Sequence, residues 1–98
     1  MPTNELDPEF FRDYARLTIA QREKFKNAVR AFVDDLKHER PFRASLRVKG
    51  VQDHPNIFEM TWDMPDGRAT FAYGTERLPG EAHIVWRRVG GHEIFKRP

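Results

Sequence analysis

IFEMTWDMPDGRATFAY, the stretch from Ile57 to Tyr73, decides the fold. From Ile57 to Trp62, Phe58, Met60 and Trp62 alternate with Ile57, Glu59 and Thr61, the period of two expected of a strand with one apolar face. Met64-Pro65-Asp66-Gly67 is the strongest turn signal in the chain, and Arg68 to Tyr73 resumes as a strand. The two runs therefore predict an antiparallel hairpin with Arg68 next to its turn.

On the C-terminal side, Gly74 to Ala82 contains Gly74, Pro79 and Gly80 and reads as a loop. His83 to Val89 follows as another strand, ended by Gly90-Gly91 and a short tail. On the N-terminal side lies the turn-prone Asp53-His54-Pro55-Asn56. Before it, Arg43 to Val51 alternates apolar Ala44, Leu46 and Val48 with Arg43, Ser45, Arg47 and Lys49. That pattern predicts a strand with one basic face, and Gly50 marks its bend or end.

The first part of the chain has a helical period instead. Asp7-Pro8 is a helix start, an N-cap acid followed by proline at the first helical position, and Phe10, Phe11, Tyr14 and Leu17 recur at helical spacing to about Leu17. Thr18 and Gln21 form a capping-box pattern ahead of a longer helix, about Ile19 to His38. Phe25, Val29, Phe32 and Leu36 make its apolar stripe, with Ala28 and Val33 beside it, and Pro41 prevents continuation. The expected fold is thus α+β, with two N-terminal helices (about 8–38) packed on one face of a four-stranded, mainly antiparallel sheet (about 43–95). The second sheet face is expected to be open and basic.

With 98 residues the chain is read as one domain, too small for a deep pocket between domains, so any chemistry must sit on an open face. The net charge is only +2, yet the charge is segregated: from Arg40 onward ten Lys and Arg stand against seven Asp and Glu. The absence of cysteine excludes a disulfide framework, a thiolate nucleophile and a Cys-containing zinc site. Met1 to Asp7 has neither a basic start nor an apolar run, so a cytoplasmic, non-membrane protein is expected.

Four segments in order, Leu46-Arg47-Val48-Lys49-Gly50, Ile57-Phe58-Glu59-Met60, Asp66-Gly67-Arg68-Ala69-Thr70-Phe71 and Val89-Gly90-Gly91-His92-Glu93-Ile94-Phe95, resemble the pattern of the RelE/ParE toxin superfamily from about Phe10 onward. Each motif alone is weak, and it is their order and spacing that agree. That family usually begins with a short strand, for which Met1 to Asp7 offers no candidate, so the strand is expected to be absent or replaced by an extended arm.

The resemblance implies the toxin of a type II toxin-antitoxin system. It would be a metal-independent endoribonuclease without small-molecule cofactor that cleaves mRNA in the ribosomal A site, with a cognate antitoxin as partner. In such a reaction the 2′-hydroxyl attacks the adjacent phosphate, which needs a base, an acid for the leaving oxygen and cations around the crowded anion. By the same resemblance Arg68 matches the strand arginine that holds the scissile phosphate. His92 matches the C-terminal position that supplies an acid or base.

Glu59 is the candidate base to pair with His92, or else a cross-strand salt-bridge partner. Arg47, Lys49 and either Arg87 or Arg88 are candidates for binding RNA phosphates, or solvated surface charges. Glu59 and Thr61 stand where some RelE members have lysines, and Phe95 where many have tyrosine. These departures leave two alternatives open, a ParE-like toxin that binds DNA gyrase without cleaving RNA and a degenerate interaction module. His54 and His83 lack a second ligand at metal spacing and read as structural or surface residues, while Trp62 and Trp86 read as core.

Overall fold

The structure, a computed structural model, describes residues 1–98. Its elements are β1 (Thr3–Leu6), α1 (Pro8–Arg16), α2 (Ile19–Lys37), a 3-10 turn (Ala44–Leu46), β2 (Lys49–Gly50), β3 (Phe58–Asp63), β4 (Gly67–Gly74), β5 (His83–Gly90) and a second 3-10 turn (His92–Lys96). The expected hairpin is present: β3 and β4 pair antiparallel, with Phe58 opposite Phe71 and Thr61 opposite Arg68. The capping box is also present, with Thr18 and Gln21 each hydrogen-bonding the other's main-chain N–H.

The sheet corrects two expectations. It has five strands rather than four, in the order β1-β5-β4-β3-β2, and it is mixed because β1 runs parallel to β5. The leading strand is therefore present. Thr3–Leu6 was illegible because it is mostly exposed and has no alternation of apolar and polar residues. What places it is β5: His83 is buried and its ring nitrogens meet Thr3 Oγ1 at 2.7 Å and Glu5 Oε1 at 2.9 Å. This gives His83 a structural role and lowers the Glu5 carboxyl below its ordinary value through the His83 hydrogen bond first.

A third correction concerns Arg43 to Val51. Only Lys49 and Gly50 pair with β3; Ala44–Leu46 is a 3-10 turn, and Arg47 has left-handed backbone (φ 46°). The cause lies in α2. Asp35 is buried, and its carboxylate accepts from the Arg43 main-chain N–H (2.9 Å), the Arg43 guanidinium (3.0 and 2.9 Å) and Arg40 Nε (2.9 Å). Those bonds turn the chain immediately after Pro41, and Leu46 reaches the core from a turn rather than from a strand. Arg47 and Lys49 consequently do not share a strand face.

The core lies between the helices and one sheet face. Phe25, Ala28 and Phe32 of α2 and Phe10 of α1 pack against Met60, Trp62, Ala69, Phe71, Ile84, Trp86 and Val89. Phe32 has no exposed surface and lies 4.6 Å from the Phe42 ring, 4.9 Å from Phe71 and 5.2 Å from Trp86, measured between centroids. Both tryptophans belong to this core, and Trp62 Nε1 donates to the Arg68 carbonyl at 2.9 Å. No helix is long and apolar enough to cross a membrane.

The opposite face is not open, which is the fourth correction. The C-terminal segment folds back over β4 and β5, so that Thr70 is fully buried and Arg68 is 8% exposed. Ile94, 1% exposed and outside the main core, anchors this segment. Burial of Ile94, together with the bonds that Thr70, Arg87 and Arg88 donate to the Pro98 and Arg97 main-chain oxygens, accounts for a short tail closing over a face that reads as polar.

Two outcomes test this architecture. Phe32→Ala, which removes a ring from the densest part of the core, is expected to cost about 3–5 kcal/mol in urea unfolding, the range for buried aromatic truncations. The Asp35 carboxyl is held below its ordinary value of 3.8, chiefly by the Arg43 side chain, so it contributes stability above that pH and loses it as the native carboxylate protonates. Asp35→Asn should be less stable at neutral pH and show a flatter decline on acidification than wild type; parallel curves would exclude this role.

Candidate functional site

The register of the sheet brings two distant segments together. Arg68 opposes Gly90, so the β3–β4 turn, which contains a cis Met64-Pro65 bond, lies beside the exit of β5. There the Asp66 carboxylate accepts from the His92 main-chain N–H at 3.0 Å and faces the His92 Nδ1 at 2.5 Å, both on Oδ1. A carboxylate can only accept, so Nδ1 carries the hydrogen and Nε2 is left without a partner on a ring that is 57% exposed. These His92 bonds hold the Asp66 carboxyl below its ordinary value, and the nearby Arg68 charge acts in the same direction.

Gly91 makes this approach possible. A Cβ at Gly91 would fall on Asp66 Oδ2 and come within 2.6 Å of Glu93 Oε2. Any side chain there must displace the carboxylate that holds His92.

The carboxylate hydrogen-bonded to His92 is Asp66; Glu59 makes no hydrogen bond or ion pair with His92. Glu59 lies across from Lys49 on one side and Thr70 on the other, and it lines a groove of about 480 Å³ with His54 and Phe95. Phe95 connects the two regions, since its ring also meets the His92 ring at 5.9 Å.

Arg68 sits under this surface. Its Nη1 donates to the Gly67 carbonyl at 3.0 Å and the Asp63 carbonyl at 3.5 Å, and it makes no ion pair. Its fixed positive charge is thus held at the hairpin turn, one residue removed from Asp66.

Arg87 and Arg88 divide the remaining roles, because the register slips between Thr70 and Phe71 and lets both leave the core face. Arg88 is structural: Nε and Nη2 bind the buried Asp13 carboxylate at 2.7 and 3.2 Å. Arg87 makes one bond, from Nε to the Pro98 carbonyl at 3.1 Å, and lines a groove of about 250 Å³ with His54 and Arg97. Arg47 and Lys49 are exposed and make no side-chain hydrogen bond or ion pair, Lys49 in the edge strand β2 and Arg47 just before it. No three His, Asp or Glu side chains converge as a metal site.

Chemically, the arrangement offers a histidine with one nitrogen fixed and the other free, a nearby buried cation, and a carboxylate across Phe95. The residue that sequence reading missed is Asp66, which looked like a turn residue. The only hint was Gly90-Gly91 just before a histidine, a pair that permits close packing.

No family model matches the chain, and no curated protein matches its sequence. Solved structures do match. A chain of the Escherichia coli DinJ-YafQ toxin-antitoxin complex superposes with a TM-score of 0.63 at 16% identity, covering 94% of this chain and 93% of that one. A YafQ mutant from E. coli gives 0.63 at 15%, covering 95% and 96%, and a chain of the Methanococcus jannaschii RelB-RelE antitoxin-toxin complex gives 0.58 at 13%, covering 93% of each. The chain has the fold of these proteins along nearly its whole length.

Gly91→Ala is expected to leave the fold intact and to raise the Asp66 carboxyl toward its ordinary value of 3.8, since it separates the carboxylate from the His92 donors. Carboxyl chemical shifts followed through an acid titration would show it, and an unmoved Asp66 midpoint would contradict the close-approach role of Gly91.

Proposed function

We propose that this chain is the toxin of a type II toxin-antitoxin system, a RelE-like endoribonuclease that cuts mRNA on the ribosome without a metal. The observation that carries the reading is His92, fixed by Asp66 through Nδ1 and free at Nε2, at the end of a sheet whose fold is that of YafQ and RelE. The motifs around Arg68 and His92 add to it, because fold alone does not assign an activity.

In the reaction a base removes the proton of the 2′-hydroxyl, the 2′-oxygen attacks the adjacent phosphorus, and the bond to the 5′-oxygen breaks as an acid supplies its proton. In this reading His92 Nε2 carries one of these protons, with Asp66 orienting the ring and stabilising its charged form. Glu59, across Phe95, is the candidate for the other proton. Arg68 contributes a fixed positive field at the hairpin turn, and Arg87, with Arg47 and Lys49 farther out, supplies charge for the RNA backbone. The protein partner in this reading is an antitoxin, as in the two complexes of like fold.

Positioned proton transfer contributes about 10²–10⁴-fold to rate, so His92→Ala should reduce cleavage by that factor without unfolding the chain. Inducing wild type and His92→Ala in cells and mapping new 5′ ends on ribosome-bound mRNA checks this. Cuts inside codons that vanish in the variant support the reading; growth arrest with intact mRNA contradicts it and turns attention to gyrase binding.

A further inference from the structure

The resemblance assigns Arg68 to the scissile phosphate, yet the structure gives its guanidinium little access to a ligand. The residue is 8% exposed, and the C-terminal segment lies over its strand. Its Nη1 donates to the Gly67 carbonyl at 3.0 Å and to the Asp63 carbonyl at 3.5 Å. Asp63 and Gly67 are partners across β3 and β4, the two stems of the turn made by Met64, Pro65 and Asp66. One nitrogen thus joins both stems.

The stems have no slack on the opposite face. A Cβ at Gly67 would come within 2.8 Å of Asp63 Cβ and 2.9 Å of the Trp62 ring. Trp62 Nε1 donates in turn to the Arg68 carbonyl at 2.9 Å, which ties position 68 to the core. The turn held in this way presents Asp66, whose Oδ1 meets both the main-chain N–H and Nδ1 of His92. A carboxylate keeps an imidazole in one tautomer only while its own position is fixed. The Arg68 charge also acts on Asp66 directly, favouring the carboxylate form after the His92 bonds.

We infer that Arg68 is a positioning residue: it clamps the β3–β4 turn, holds Asp66 against His92, and acts on the reaction through that pair without touching RNA. The reaction itself is that of the ribonuclease reading, on which this role rests, whereas the clamp is a property of the free chain. A phosphate ligand and a clamp differ in what their loss does. Removing a ligand weakens RNA binding and takes one cation out of its salt dependence. Removing a clamp leaves binding alone and releases the imidazole.

Arg68→Met tests this. In the free chain, the ring-nitrogen chemical shifts of His92 are expected to move from the Nδ1–H tautomer toward a mixture of the two. Affinity for a single-stranded 2′-O-methyl oligonucleotide, which lacks the attacking hydroxyl, should stay within about twofold, with an unchanged slope against salt. On ribosomes, Arg68→Met should cut roughly 10²-fold more slowly. Adding it to Asp66→Asn should cost nothing further, since groups that act as a unit are not additive. Unmoved His92 shifts, a salt slope smaller by about one, or a double variant slower than Asp66→Asn by the full factor of Arg68→Met each overturn the proposal. Arg68→Gln, shorter and uncharged, supplies the same comparison if Arg68→Met does not fold. The two readings fail separately: a chain that never cuts mRNA but whose His92 is released by Arg68→Met keeps the clamp and sinks the ribonuclease, whereas a chain that cuts and whose His92 shifts stay put sinks the clamp alone.

Discussion

The Asp13 carboxylate ties together the three parts on which the rest of the structure depends. It is buried on α1, and it accepts from two nitrogens of Arg88 and from the Val89 main-chain N–H at 3.1 Å, both on β5. The same guanidinium reaches the tail through the Arg97 carbonyl. A buried charge is costly unless its lone pairs are satisfied, and here all three bonds come from one short segment of β5. That requirement fixes the first helix against the end of β5, and the end of β5 is where Gly90 and Gly91 lead the chain back over the sheet. The Asp66–His92 contact is downstream of this geometry.

Where the physics is local, the sequence was readable. Alternation in Phe58 to Trp62, the Pro65-Asp66-Gly67 turn and the Thr18/Gln21 box each depend on neighbours within a few residues, and each is present as expected. Where a remote partner decides, it was not. Thr3–Leu6 is a strand because His83, about eighty positions away, binds its side chains. Arg43 to Leu46 is a turn because Asp35 captures Arg43, although the apolar alternation there suits a strand. The tail lies over the second sheet face, with Ile94 buried and the Arg97 and Pro98 main-chain oxygens accepting from Arg88, Arg87 and Thr70, which a count of charges cannot reveal.

The candidate site divides in the same way. Arg68 and His92 were legible as chemistry-bearing residues at the turn and the tail, and the structure sets both beside Asp66. The pairing of His92 with Asp66 instead of Glu59 follows from strand register, since the opposition of Arg68 and Gly90 decides which carboxylate the tail meets first. Of the two adjacent arginines, Arg88 is held by a buried acid and Arg87 reaches only the Pro98 main-chain oxygen, a division set by a slip in register that alternation alone does not disclose. Phe95 in place of a tyrosine removes a hydroxyl but keeps a ring against His92, consistent with a mechanism that relies on the imidazole and its carboxylate.

The chemistry of the RNA ends tests the central claim most directly. Purified chain would be incubated with mRNA on programmed ribosomes, and the termini of both fragments determined. Attack by the 2′-oxygen predicts a 2′,3′-cyclic phosphate on the upstream fragment and a 5′-hydroxyl on the downstream one, formed only when ribosomes are present. Fragments with 3′-hydroxyl and 5′-phosphate ends, or the same cuts in mRNA without ribosomes, would contradict it.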